Sequence, residues 1–191
     1  MNHYLEIRLL PDPEFGPSLL LNALYNKLHL ALAKLNCNDL GVSFPHYRQS
    51  NPDKSMHPLG ERIRIHGTRE RIEELMAINW LSGMRDHVRI GSIHPVPNKV
   101  NYVIYRRVQF KSSVERIRRR HMRRHNLGYE EVARLIPENI EQSSDLPFIT
   151  LRSQSTKQYF KLFIQQQEIP NSTQGNFNTY GLSTGTTVPL F

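Results

Sequence analysis

The sequence predicts an α+β fold: a ferredoxin-like N-terminal domain followed by a C-terminal region with an arginine-rich helix and a β-hairpin. Three observations predict it. Apolar residues over the first 93 or so positions switch between alternation and helical spacing in the order β-α-β-β-α-β, the ferredoxin-like arrangement. HPVPNK, residues 94–99, then interrupts the pattern with two prolines. Beyond it, VERIRRRHMRRH (residues 114–125) holds six arginines in twelve positions. The expected division is residues 1–95 for the ferredoxin-like domain and 96–191 for the region with the arginine helix.

Each element has its own signal. In HYLEIRLL, Leu5, Ile7 and Leu9 face one way and Tyr4, Glu6 and Arg8 the other, as in a half-buried strand that PDPEFGP ends. Over residues 18–35 the spacing changes. Leu21, Leu24, Leu28, Leu32 and Leu35 recur every three or four positions, which predicts an amphipathic helix. GVSF is a short strand, and RQSNPDKSMHPLG is a polar loop. RIRIH alternates again, with Ile63 and Ile65 expected inward and Arg62, Arg64 and His66 outward. Thr68 can cap a helix that buries Ile72, Leu75 and Met76. HVRIG closes the set as a strand, with Val88 and Ile90 inward.

The second region opens on a long strand, VNYVIYRRVQFK. The arginine segment follows, then a short helix around YEEVARLI. FITLRSQS and QYFKLFIQ predict two strands joined by a turn near Thr156 and Lys157. The tail from residue 171 is rich in Gly, Ser, Thr and Asn but keeps spaced aromatics, and is expected to form ordered loop and an edge strand. No internal repeat is present.

Composition narrows the function classes. The formal net charge is +8, and residues 85–125 carry 12 Lys or Arg against two acids. The rest of the chain has 13 basic and 15 acidic residues, so the basicity is local. A local block of this kind points to a polyanion. One cysteine, Cys37, rules out an intramolecular disulfide and suits a reducing compartment. No apolar run approaches a transmembrane span, and the N-terminus lacks a signal-peptide pattern, so the cytoplasm is the expected location.

On a helix, Arg116, Arg119, Arg120, Arg123 and Arg124 fall within an arc of about 140°. Val114, Ile117, His121 and His125 lie opposite, and Arg118 stands apart. The only aliphatic residues of that opposite face are Val114 and Ile117, too few to enter a membrane, so no membrane partner is expected. Charge runs are commonly solvated faces. Here, however, acidic partners at four-residue spacing are nearly absent, which leaves the arginines repelling one another until a polyanion neutralises them. The guanidinium fork also suits phosphate. In the preceding strand, Tyr105, Arg107, Gln109 and Lys111 share a face. Arg can read guanine and Gln adenine, although an exposed polar strand face would show the same pattern.

No Cys or His pair has convincing zinc spacing, no compact acidic cluster suggests two-metal hydrolysis, and there is no glycine-rich phosphate loop. Neither metal nor cofactor is expected. His29 lies beside the Leu28 and Leu32 stripe of the first helix, one turn after Tyr25. A lone histidine on a helix face is more often structural. RNA lowers the requirement, because its 2′-hydroxyl is an internal nucleophile that needs a proton acceptor, an orienting hydrogen bond and charge stabilisation. Ser153, Ser155 and Thr156 in LRSQST and Tyr180 in TYGLS offer hydroxyls.

Together, HYLEIRL with PDPEF, LHLAL around His29, GVSFP, LGERIRIHG, RRVQFKS, ERIRRRHMRRH, DLPFITLRSQST and the final YGLS resemble the CRISPR-associated, repeat-processing endoribonuclease family of type I-F systems. The resemblance covers nearly the whole chain in order. It implies a metal-independent enzyme that binds the stem-loop of CRISPR repeats in precursor CRISPR RNA. Such an enzyme cuts at the 3′ base of the stem, leaves a 2′,3′-cyclic phosphate and stays with its product among the other subunits of the type I-F surveillance complex. By the same resemblance His29 is the catalytic histidine, Ser153 holds the ribose and Tyr180 stands beside the histidine. Arg107 and Gln109 read bases at the bottom of the stem, and Phe160 stacks on the terminal pair. Arg119, Arg120, Arg123, Arg124 and His125 enter the groove along the stem, and Ser155 contacts the backbone. The rival is a non-catalytic RNA-hairpin-binding subunit. The chain departs from the family pattern in the loop of residues 48–58, in residues 165–174 and in its Pro-Leu-Phe ending.

Overall fold

A computed structural model describes residues 1–49, 57–109, 114–136 and 145–191; the side chains of residues 114–117 lie outside the description. It therefore omits Lys111, most of the polar loop and the side chain of Arg116.

Strands β1 (His3–Leu9), β2 (Gly41–Ser43), β3 (Arg62–Gly67) and β4 (Val88–Pro95) form one antiparallel sheet in the order β2-β3-β1-β4. With helices α1 (Pro17–Lys34) and α2 (Arg69–Ala77) between them, this is the ferredoxin-like arrangement. The apolar stripe of α1 explains its packing: Leu21, Leu24, Leu28 and Leu32 are all buried in one core with Leu5, Ile7, Ile63 and Ile65. Pro17 starts the helix where its missing N–H costs nothing. Thr68 caps α2 as expected, its hydroxyl accepting from the Arg71 amide at 3.3 Å. Ile72 and Leu75 are buried on that helix.

Two expectations for this sheet fail. His66, expected outward, is fully buried, with its Nε2 2.8 Å from the Ser43 hydroxyl. The outer face of the sheet is covered there by the C-terminus: Phe191 packs edge-on against both His66 and Tyr4, and Arg64 bonds its main-chain oxygen. Burial pushes the imidazole down to about 3, so it stays neutral. Ile90, expected inward, remains 39% exposed. It lies on edge strand β4, whose register against β1 shifts between Leu5 and Ile7.

The second sheet has the order β6-β7-β5-β8, built from β5 (Asn101–Val108), β6 (Phe148–Arg152), β7 (Tyr159–Ile169) and β8 (Val188–Leu190). The expected hairpin is β6-β7, and its turn contains Lys157 at φ 58°. The tail does supply an edge strand, β8, paired with β5. Helix α1 abuts β6, where the Asn22 side chain accepts from the Thr150 amide at 2.9 Å.

By compactness the chain divides into Met1–Val108 with Leu146–Phe191, and Gln109–Asp145. The first unit holds both sheets. The second holds α3 (Val114–His125) and α4 (Tyr129–Leu135), with a small core of Val132 and Ile136 packed by Met122 and Leu127.

Candidate active site

Within the larger unit, His29 is half-buried on α1. Its Nδ1 lies 2.9 Å from the carbonyl oxygen of Thr179. A carbonyl can only accept, so Nδ1 carries the proton and the neutral ring keeps its lone pair on Nε2. The ring of Tyr180 stacks on His29 with centroids 4.1 Å apart and planes 14° apart. The guanidinium of Arg107 lies over Tyr180 at 5.5 Å and over Phe160 at 5.6 Å. His29, Tyr180, Arg107 and Phe160 thus form one continuous series of faces. They come from α1, the C-terminal loop, β5 and β7.

The loop that delivers Tyr180 is fixed by local chemistry. The Asn178 side-chain oxygen accepts from the amides of Tyr180 and Leu182, and the Asn178 carbonyl accepts from Gly181. Gly181 has φ +70°, and a Cβ there would stand 2.3 Å from the Val42 side chain. Only glycine fits that approach. The Gly181 carbonyl in turn accepts from the Val42 amide at 2.8 Å, joining the loop to the first sheet.

Ser153 stands at the turn after β6. Its hydroxyl is 3.2 Å from that of Ser155 and accepts from the Thr156 amide at 3.2 Å. Those hydroxyl partners lie within the turn and do not include His29. Ser155 is exposed. Strand β5 ends at Val108, so Gln109 falls one residue beyond it and is exposed. Tyr105, expected on an open face with Arg107, is instead buried, its hydroxyl donating to the Phe44 carbonyl at 3.0 Å. Arg106 is occupied by Gln165.

In the smaller unit, Arg119, Arg120, Arg123, Arg124 and His125 are exposed, and the four arginines line one open concavity. Arg118 explains its separate direction. It is buried, donates to the Ile136 carbonyl at 2.9 Å, and lies over the Tyr129 ring at 5.8 Å. One arginine therefore ties α3 to the end of α4, and its four neighbours remain open to a ligand. His121 and His125 pair at 4.3 Å along the helix.

Among the described residues no group of three or more His, Cys, Asp or Glu is placed to hold a metal ion, and no helix is long and apolar enough to cross a membrane. Residues 4–191 match the family described as CRISPR-associated protein (Cas_Csy4). This chain belongs to that family. It is 47% identical over its full length, and over the full length of the relative, to the CRISPR-associated endonuclease Cas6/Csy4 of Pseudomonas aeruginosa. It is 38% identical, with the same coverage, to the CRISPR-associated endonuclease Cas6/Csy4 of Escherichia coli. A solved structure titled as an RAMP protein binding different RNA substrates aligns over 98% of this chain and 99% of its own. Its identity is 14% and its TM-score 0.36.

Sequence reasoning overlooked the Thr179 carbonyl, which sets the His29 tautomer. No side-chain pattern could reveal it, because the group is main chain and 150 residues away.

Proposed function

We propose that this Cas_Csy4 family member is an endoribonuclease that binds the stem-loop of CRISPR repeats and cuts precursor CRISPR RNA at the 3′ base of the stem. The names of the two full-length relatives support an endonuclease. The observation that carries the mechanism is the Nδ1 contact of His29, which leaves Nε2 free to accept a proton.

The 2′-hydroxyl upstream of the scissile phosphate loses its proton to Nε2. Its oxygen bonds to phosphorus as the bond to the 5′-oxygen breaks, that oxygen leaves as a hydroxyl after gaining a proton from water, and the imidazolium returns its proton to water. The products are a 2′,3′-cyclic phosphate and a free 5′-hydroxyl end. Ser153 holds the ribose, and Tyr180 holds the imidazole plane. Arg107 and Gln109 read bases at the foot of the stem, and Phe160 stacks on the terminal pair. The arginine face of α3, with His125, binds along the stem, and Ser155 contacts the backbone. The enzyme keeps its product and hands it to the other subunits of a type I-F complex, in the cytoplasm.

This chemistry gives a metal ion no step. Cleavage of the cognate hairpin is expected to persist in excess chelator, with a cyclic phosphate at the new 3′ end; loss on chelation and rescue by a divalent ion would contradict it. Arginine contacts to phosphate release counterions. Replacing Arg120 and Arg123 with alanine should therefore weaken hairpin binding and flatten its salt dependence. An unchanged slope would make the stripe a solvated face.

A further inference from the structure

Four residues before His29, on the same face of α1, Tyr25 is fully buried, and its hydroxyl donates to the Tyr180 carbonyl at 2.7 Å. One helix face thus holds two successive carbonyls of the same loop: Tyr25 takes that of Tyr180, and His29 takes that of Thr179. Burial pushes the Tyr25 phenol well above its ordinary range, so it is a permanent donor. Its ring is packed against Phe44 at 5.8 Å, which leaves the hydroxyl little freedom to choose another partner.

The peptide joining Tyr180 to Gly181 donates its N–H within the loop, to the Asn178 carbonyl at 2.8 Å, so Tyr25 is the partner that ties its carbonyl to the helix. Were the hydroxyl removed, the Tyr180 carbonyl would lose its donor in a part-buried place and would turn to find another. That movement shifts the adjoining Thr179–Tyr180 peptide, whose oxygen meets His29 and whose N–H meets Asn178. Nδ1 of His29 would then lose its acceptor, and the proton would be free to sit on either nitrogen.

We propose that Tyr25 is a positioning residue for the reaction. By holding the Tyr180 carbonyl, it keeps the Thr179 carbonyl on Nδ1 of His29 and so keeps the lone pair on Nε2. The inference rests on the endoribonuclease reading above.

The test is Tyr25→Phe, which retains the ring and its packing. Two readouts are needed: nitrogen NMR of the His29 imidazole in the RNA-free protein, and the single-turnover cleavage rate at saturating hairpin. In the unaltered protein the imidazole is expected as the Nδ1-protonated tautomer. In the variant a mixture with the Nε2-protonated form is expected, with the rate reduced about 3- to 10-fold and hairpin affinity unchanged. A role in stability alone would lower the melting temperature and move neither readout. Either readout left unmoved by the substitution overturns the inference. An Nε2-protonated imidazole in the unaltered protein also overturns it, without need of a variant. If the unaltered protein does not cleave the hairpin at all, the endoribonuclease reading beneath it fails instead.

Discussion

Replacing His29 with alanine is expected to slow cleavage of the repeat hairpin by roughly 10²–10⁴-fold, the usual worth of a positioned general base. Hairpin affinity should hardly change. The proposed contacts to the stem come from other residues, among them Arg107 and the exposed arginines of α3, whereas His29 has a proton to move. The substitution also removes the partner of the Thr179 carbonyl and one side of the Tyr180 stack, so part of the loss would be misplacement. A rate measured under single turnover at saturating protein separates this from binding. A variant that cuts at the normal rate would remove His29 from the mechanism. An unaltered protein that binds the hairpin and never cuts it would support a non-catalytic RNA-binding subunit.

Much of the fold was legible because its signals are local. The alternation of Leu5, Ile7 and Leu9, and of Ile63 and Ile65, reports which face of a strand meets the core, and the leucine spacing of α1 does the same for a helix. Reasoning from alternation failed where distant chain covers an outer face. His66 follows the outward pattern of Arg62 and Arg64, yet Phe191 packs against it from the far end of the chain. Tyr105 similarly reads as outward with Arg107 and is buried against Phe44.

The site was legible as a set of residue types and not as an arrangement. Sequence chemistry could name His29, Tyr180 and the arginine stripe, and the family resemblance could assign them tasks. It could not show that Arg107 bridges the Tyr180 and Phe160 rings, nor that Arg118 turns inward to the end of α4. Least visible were the contacts to main-chain atoms. Tyr25 and His29 meet carbonyls 155 and 150 residues further on, and a carbonyl leaves no mark in the sequence.

The largest effect is expected from the substrate. The proposed mechanism uses the RNA's own 2′-hydroxyl as nucleophile, so a hairpin with a 2′-deoxy nucleotide just upstream of the scissile phosphate lacks the reacting atom. The remaining contacts of the stem are untouched by that change, and so is the protein. The orientation proposed for Ser153 and the proton acceptance proposed for His29 then have nothing to act on. Cleavage of this substrate by the unaltered protein, followed beside the all-RNA hairpin in the same buffer, tests the internal-nucleophile claim most directly. The account predicts binding of similar affinity and no product at that bond, while the all-RNA hairpin yields a cyclic phosphate end. Cleavage of the 2′-deoxy substrate at the same bond would contradict it.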